Sequence, residues 1–211
     1  MECRLCHEDK GKLLSSEGDK RSYWLCYTCS LITCLPEFLP TADDEKKRYL
    51  HHNNQITDLG YVDFLMKGIN AVRHHLKPGL KVLDYGCGPT AVLSQLLKKE
   101  NINCDNYDPF FFPSFPEDRY DLIFSTETFE HFFHPDKELK RICSLLNKEG
   151  LLVIMTEFWK DINHFNNWHY KRDLTHVSFF HPETMLYISR NFPLKMIFTD
   201  ENRIAVFKSE F

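Results

Sequence analysis

The chain has 211 residues, 43% hydrophobic and 27% charged, which suits one full domain with a small appendage and rules out a disordered segment. Its 26 Lys+Arg against 30 Asp+Glu leave a formal charge of -4, without the basic signature of a chain that tracks a phosphate backbone. No apolar run approaches the roughly 18 to 20 residues that span a bilayer, and charges and cysteines begin at Glu2 and Cys3, where a signal peptide would be basic and then apolar. A cytoplasmic protein with reduced or metal-bound thiols is expected.

The N-terminal segment carries two knuckles, Cys3-Arg4-Leu5-Cys6 and Cys26-Tyr27-Thr28-Cys29, separated by a 19-residue loop. Four soft thiolates at that spacing suit one tetrahedral zinc and predict a zinc ribbon over residues 1–35. Cys34 falls outside the pattern, and His7 reads as a neighbour of Cys6 and not a ligand. So small a ribbon has almost no core, so Zn2+ would supply its folding energy, with no position left open for catalysis.

Residues 36–79 read as a helical connector that packs on the domain C-terminal to it. Pro36 and Pro40 act as breakers, and Thr41 with Asp44 forms a capping box that starts a helix. The spacing of Val62, Leu65, Met66, Ile69, Val72 and Leu76 predicts a second helix, stopped by Pro78-Gly79. His51-His52 and His74-His75 lie on polar faces and read as surface residues.

From residue 80 the pattern alternates strand and helix to residue 211, predicting an α/β domain with a mostly parallel, Rossmann-like sheet. Strands are expected at 81–85, 103–108, 120–125, 151–155, 195–199 and 203–208. Helices are expected after the turn 86–90, after Pro135 as far as about Gly150, and after Pro182. Gly86, Gly88 and Ala91 also fit a dinucleotide fingerprint, with Asp108 placed to hold a ribose. Asp84, two residues before the first glycine, argues against a pyrophosphate there, because like charges repel. A carboxylate at that point suits a ligand with a cationic ammonium and sulfonium end, such as S-adenosylmethionine.

The stretch Val82-Leu83-Asp84-Tyr85-Gly86-Cys87-Gly88-Pro89 resembles the first motif of class I S-adenosylmethionine-dependent methyltransferases. Tyr120-Asp121-Leu122-Ile123-Phe124, with Thr126-Glu127 and Glu130-His131, resembles their fourth-strand motif, and Asn147-Lys148-Glu149-Gly150-Leu151-Leu152 their turn into the fifth strand. The resemblance spans roughly residues 60 to 211, and a zinc ribbon ahead of such a domain is similar to the layout of some sugar C-methyltransferases and of an rRNA guanine methyltransferase family. It implies cofactor contacts from Asp84, Tyr85, Gly86, Cys87 and Gly88, a ribose contact from Asp108, and further contacts from Pro109, Phe110, Thr126, Glu127 and His131.

Only 11 residues separate Asp108 from Tyr120, too few for the helix, third strand and helix that most of the family places there. The third strand is expected to be missing. Phe110, Phe111, Phe112 and Phe115 stand in its place, at least one expected to stack on adenine and at least one to enter the core.

The 24 residues 158–181 form a long segment expected to overhang the methyl-donor end as a lid. In it His176 is the candidate general base, titrating near neutrality, with Asp173 close enough to orient it. A metal site built from the lid histidines finds no support in their spacing. Methyl transfer to an unidentified small molecule is the expected function. The alternatives are an RNA base methyltransferase gripping RNA through the ribbon and a non-catalytic cofactor-binding module. Residues 1–60 carry eight Lys+Arg against ten Asp+Glu, which disfavours RNA. The acceptor atom and the oligomeric state stay open.

Overall fold

The computed structural model of the chain describes residues 1–15, 19–51 and 54–211; His52 falls outside them. A six-stranded sheet of order β5-β4-β6-β7-β10-β9 forms the centre. Its strands are β4 (Val82–Tyr85), β5 (Cys104–Tyr107), β6 (Tyr120–Thr126), β7 (Leu146–Met155), β9 (Leu194–Thr199) and β10 (Ile204–Ser209). The pairs β4–β5, β4–β6 and β6–β7 are parallel, while β10 runs antiparallel to both neighbours.

Alternation along the strands divides the core into two layers. Val82, Leu122 and Val153 face helices α2 (Leu59–Ala71) and α3 (Val92–Lys99), burying Leu65, Ile69, Leu93 and Leu97. Leu83, Ile123 and Leu152 face α4 (Pro135–Leu145) and α6 (Pro182–Asn191), burying Leu139, Ile142, Met185 and Ile188. Helix α1 (Ala42–Leu50) starts on the expected capping box, with the Asp44 amide donating to Thr41 Oγ1 at 3.2 Å. None of its residues is buried. Helix α4 stops at Leu145 and not near Gly150, because β7 begins at Leu146 and takes up the turn residues 147–150 with a shift of register against β6.

The third strand is absent among the described residues. After β5 the chain turns on itself, Asp108 and Phe112 exchanging backbone hydrogen bonds of 3.1 and 2.9 Å, and returns directly to β6. Phe110 and Phe111 are half-buried, and Phe112 and Phe115 are 36% and 43% exposed. The expectation that one of these rings enters the core is therefore corrected: the tight turn holds the run at the surface.

The N-terminal strands β1 (Gly11–Ser15), β2 (Ser22–Cys26) and β3 (Ile32–Cys34) form an antiparallel meander. A fourth strand, β8 (Ser178–Phe179), comes from the far end of the sequence and pairs with β3. Tyr23, Ile32 and Cys34 pack with Phe165, Trp168, Val177 and Phe179 of the 158–181 segment. The N-terminal segment thus shares a substantial apolar core with that segment, contrary to the near absence of core expected of it. The segment itself folds as helix α5 (Ile162–Asn167), a 3-10 turn at His169–Arg172, and β8. No helix among the described residues is long and apolar enough to cross a membrane.

Candidate active site

A cavity of about 510 Å³ opens at the carboxyl ends of β4, β5 and β6, where ligands bind in open α/β sheets. Gly86 turns the chain after β4 at φ +86°, and a Cβ there would lie 2.3 Å from the Thr128 side chain. Gly88, at φ +64°, has open space where its side chain would be, so a ligand can approach its backbone. Asp108 closes β5 and ties the turn together: Oδ2 accepts the Gly88 amide at 3.1 Å, and Oδ1 accepts those of Phe110 (2.9 Å) and Phe111 (3.1 Å). With about four acceptor sites on a carboxylate, these three bonds leave direct room for one more donor.

Asp84 is opposed by Asn106 on one side and Phe124 on the other, in the middle of the sheet. It is 2% exposed, Oδ1 has no hydrogen-bond partner, and burial, with Asp108 adding to it, pushes its carboxyl up to about 7. A buried carboxylate left short of a partner at the foot of a glycine turn has the chemistry to receive a cation.

Of the expected cofactor residues, Tyr85, Gly86, Asp108, Pro109, Phe110, Glu127 and His131 line the cavity. Asp84, Cys87, Gly88 and Thr126 stand outside its lining, Asp84 and Thr126 because they are buried in the sheet. Tyr49 was not among the expected residues. It sits 5.7 Å from the Phe110 ring and 5.1 Å from that of His131, and with Glu45 it brings α1 over the cavity. The helix was legible in the sequence, but the face formed by Glu45 and Tyr49, four residues apart, looked merely polar. Arg48 Nε anchors the same helix on Asp173 at 2.7 Å.

A second pocket of about 320 Å³ adjoins the first, with Tyr49, Glu127 and His131 lining both. Glu130, Asp173 and His176 complete its polar wall. Glu127, directly after β6, has a left-handed φ of 50°; Arg203 Nη1 holds its Oε1 at 3.0 Å, and burial raises its carboxyl to about 8. The His176 ring packs 4.8 Å from His131 and donates Nδ1–H to the Tyr170 carbonyl at 2.6 Å, which leaves the Nε2 lone pair free. Burial, then His131, pull its pKa down to about 3, so the imidazole does not titrate near neutrality as expected. The Asp173 carboxylate accepts from Thr175 Oγ1 at 2.7 Å and from Arg48; against burial, the bonds from Thr175 keep it below the usual carboxylate range.

In the N-terminal segment the Sγ atoms of Cys3, Cys6, Cys26 and Cys29 all lie within 4.8 Å of one another. Cys3–Cys29 and Cys6–Cys26 are 3.5 and 3.4 Å apart, against about 3.8 Å between thiolates on a tetrahedral zinc with 2.3 Å bonds. The donor set and its packing fit zinc. His7 turns away to Glu2 and Asp136, at 2.7 and 3.2 Å.

Residues 49–197 match the family model described as Methyltransferase domain. No curated protein matches the chain. Among solved structures, Burkholderia thailandensis 1,6-didemethyltoxoflavin-N1-methyltransferase, with bound 1,6-didemethyltoxoflavin and S-adenosylhomocysteine, is similar at TM-score 0.59 and 13% identity, over 96% of this chain and 100% of that one. The plantazolicin methyltransferase BpumL in complex with SAH is similar at TM-score 0.50 and 14% identity, over 81% and 92%. The chain spans about half, 52%, of the CurJ carbon methyltransferase, at TM-score 0.45, 12% identity and 68% of its own length. At these identities the likeness is one of fold. The family model, which covers well over half of the sequence, carries the conclusion: the chain belongs to the methyltransferase domain family.

Proposed function

We propose that the enzyme methylates a small molecule held in the 320 Å³ pocket, beside a cofactor held in the 510 Å³ cleft. The supporting observation is that the two spaces share Tyr49, Glu127 and His131 in their walls, so that cofactor and acceptor would lie side by side. A pocket of that size suits a metabolite-sized acceptor and not a nucleic-acid strand. Asp84 and the turn Gly86–Gly88 receive the cationic methionine end, with Tyr85, Cys87 and Thr126 shaping that end of the cleft. Asp108 takes a ribose hydroxyl, Pro109 and Phe110 face the adenine, and Glu127 and His131 lie toward the sulfonium. His176 presents Nε2 to the acceptor, and Asp173 positions its loop through Thr175 and Arg48.

Cofactor binding tests this reading directly. Asp108→Ala is expected to weaken S-adenosylhomocysteine binding by roughly 1.5 to 3 kcal/mol, the usual worth of hydrogen bonds to a charged group. Titration calorimetry reads it. An unchanged affinity would remove Asp108 from the site, and a clear NAD isotherm with no S-adenosylhomocysteine heat would overturn the assignment.

We further propose that Cys3, Cys6, Cys26 and Cys29 hold one structural Zn2+, making residues 1–35 a ribbon, 36–79 a connector and 80–211 the catalytic domain with its lid at 158–181. Protein purified without added zinc is expected to contain close to one equivalent, lost in Cys26→Ser. Metal analysis finding less than about a tenth of an equivalent in folded protein would sink the idea, given the affinity of four-thiolate sites.

A further inference from the structure

Glu130 is the least explained residue of the pocket wall. Its side chain is fully buried, and neither carboxylate oxygen has a hydrogen-bond partner. Of the nearest hydroxyls, Tyr170 donates to Glu127 Oε2 at 3.3 Å and stands 3.3 Å from Thr156 Oγ1. His131 Nε2 stands 3.9 Å from Glu130 Oε1, beyond hydrogen-bond length.

Both neighbouring imidazoles are held in one tautomer by backbone carbonyls. His131 donates Nδ1–H to Thr175 O at 3.0 Å, and His176 donates Nδ1–H to Tyr170 O at 2.6 Å. Neither neutral ring has a proton left for Glu130. The carboxyl therefore faces two nitrogen lone pairs, an arrangement that calls for a proton or a metal cation between them. The same pattern, a histidine oriented through its other ring nitrogen by a carbonyl, is how proteins hold metal-ligating imidazoles.

We propose that Glu130, His131 and His176 bind one divalent first-row transition cation at the floor of the acceptor pocket. One ligand atom from each lies within 4.8 Å of the others. Ligands about 2.1 Å from a cation stand roughly 3 Å apart when adjacent, so a modest contraction closes the site. Two imidazoles and one carboxylate on one side leave the opposite positions open, and all three residues line the pocket.

Resting on the methyl-transfer reading above, and with the His176 Nε2 lone pair on the cation in place of a direct contact to the acceptor, the cation would bind an oxygen of the acceptor and lower the pKa of its hydroxyl. The proton leaves to solvent, the oxygen forms a bond to the methyl carbon, and the carbon–sulfur bond breaks with its electron pair remaining on sulfur. The sulfonium becomes a neutral thioether, and the step needs no oxidant or reductant. The acceptor class would then be a hydroxyl compound able to chelate or approach a metal through that oxygen.

Mn2+ alone is the probe, because as a hard cation it competes poorly for the cysteine thiolates. Protein desalted into metal-free buffer without a chelator, so that the four-cysteine site keeps its zinc, is titrated with Mn2+ while the loss of the free-ion electron paramagnetic resonance signal is followed, and S-adenosylhomocysteine binding is measured separately by calorimetry. One Mn2+ per chain is expected, weakened at least about tenfold in Glu130→Gln and in His176→Gln. If wild-type protein that binds S-adenosylhomocysteine takes up no Mn2+, or folded variants bind it as well as wild type, the metal site is wrong. Failure of the cofactor arm with Mn2+ still bound would count against the methyl-transfer reading and leave the metal site standing.

Discussion

Arg21→Ala is expected to destabilise the protein by about 3 to 5 kcal/mol, the usual cost of breaking a buried charged network, and to slow methyl transfer while leaving S-adenosylhomocysteine affinity nearly unchanged. Arg21 enters the sheet at the start of β2 and is 4% exposed. Its guanidinium donates to the carbonyls of Leu174 (3.3 Å), His176 (3.0 Å), Asp173 (3.3 Å) and Lys171, and pairs with Asp19 at 3.7 Å. One side chain thus holds the loop that carries His176 to the pocket. Alanine would strip four carbonyls of a donor and leave a cavity beside Tyr23. In a chain of this size the loss corresponds to a melting temperature lower by roughly 10 °C. The Asp108 end of the cleft makes none of these contacts, which is why cofactor affinity is spared. A melting temperature within a degree of wild type would show that the loop is held by something else. Arg21→Lys should rescue little, since one ammonium cannot reach a fan of carbonyls as a planar guanidinium does.

Asp84→Asn is expected to do the opposite: to stabilise the ligand-free protein at pH 8 and to abolish tight cofactor binding. The Asp84 carboxyl titrates at about 7 in the folded chain, pushed up first by burial and then by Asp108, against an ordinary value of 3.8. Below the ordinary value both folded and unfolded chains carry the proton and the group contributes nothing. As pH rises from about 4 to 7, the unfolded chain ionises and the folded chain does not, so stability falls. Above about 7 the loss is complete, on the order of 4 kcal/mol at roughly 1.4 kcal/mol per unit. Asparagine removes that slope. Urea unfolding at pH 4 and pH 8 should therefore show the variant gaining on wild type only at the higher pH. Calorimetry should show S-adenosylhomocysteine binding at least tenfold weaker, because its ammonium loses a buried counter-charge. A variant no more stable at pH 8 than at pH 4, relative to wild type, would contradict the account.

These two residues differ in how far the sequence announces them. Asp84 precedes a glycine turn at the end of an apolar strand, and every clue to its role lies within five residues. Arg21 lies in a polar stretch before a short strand, and nothing local marks its role, because the carbonyls it holds are 150 to 155 residues away. The same contrast separates His176 from Glu130. A histidine in an aromatic segment, three residues after an aspartate, attracts notice. A glutamate beside a histidine reads as part of a family motif, and only its burial without partners shows that it is unusual.

The sequence by itself determined the sheet, its alternating helices, the glycine turn with Asp84 and Asp108, the shortened crossover and the spacing of the four cysteines. These are local quantities, set by periodicity of two or 3.6 residues, by breakers, and by the length of chain available between two strands. The tertiary structure decided the rest. It joined β8 to the N-terminal meander, laid Tyr49 of α1 over the cleft, and kept the phenylalanine run out of the core. It also lowered the pKa of His176 by burying its ring against His131. Pairing between distant strands, the face a marginal helix presents, and the desolvation of an imidazole depend on what is brought near in space, and none of these is encoded in the spacing of neighbouring residues.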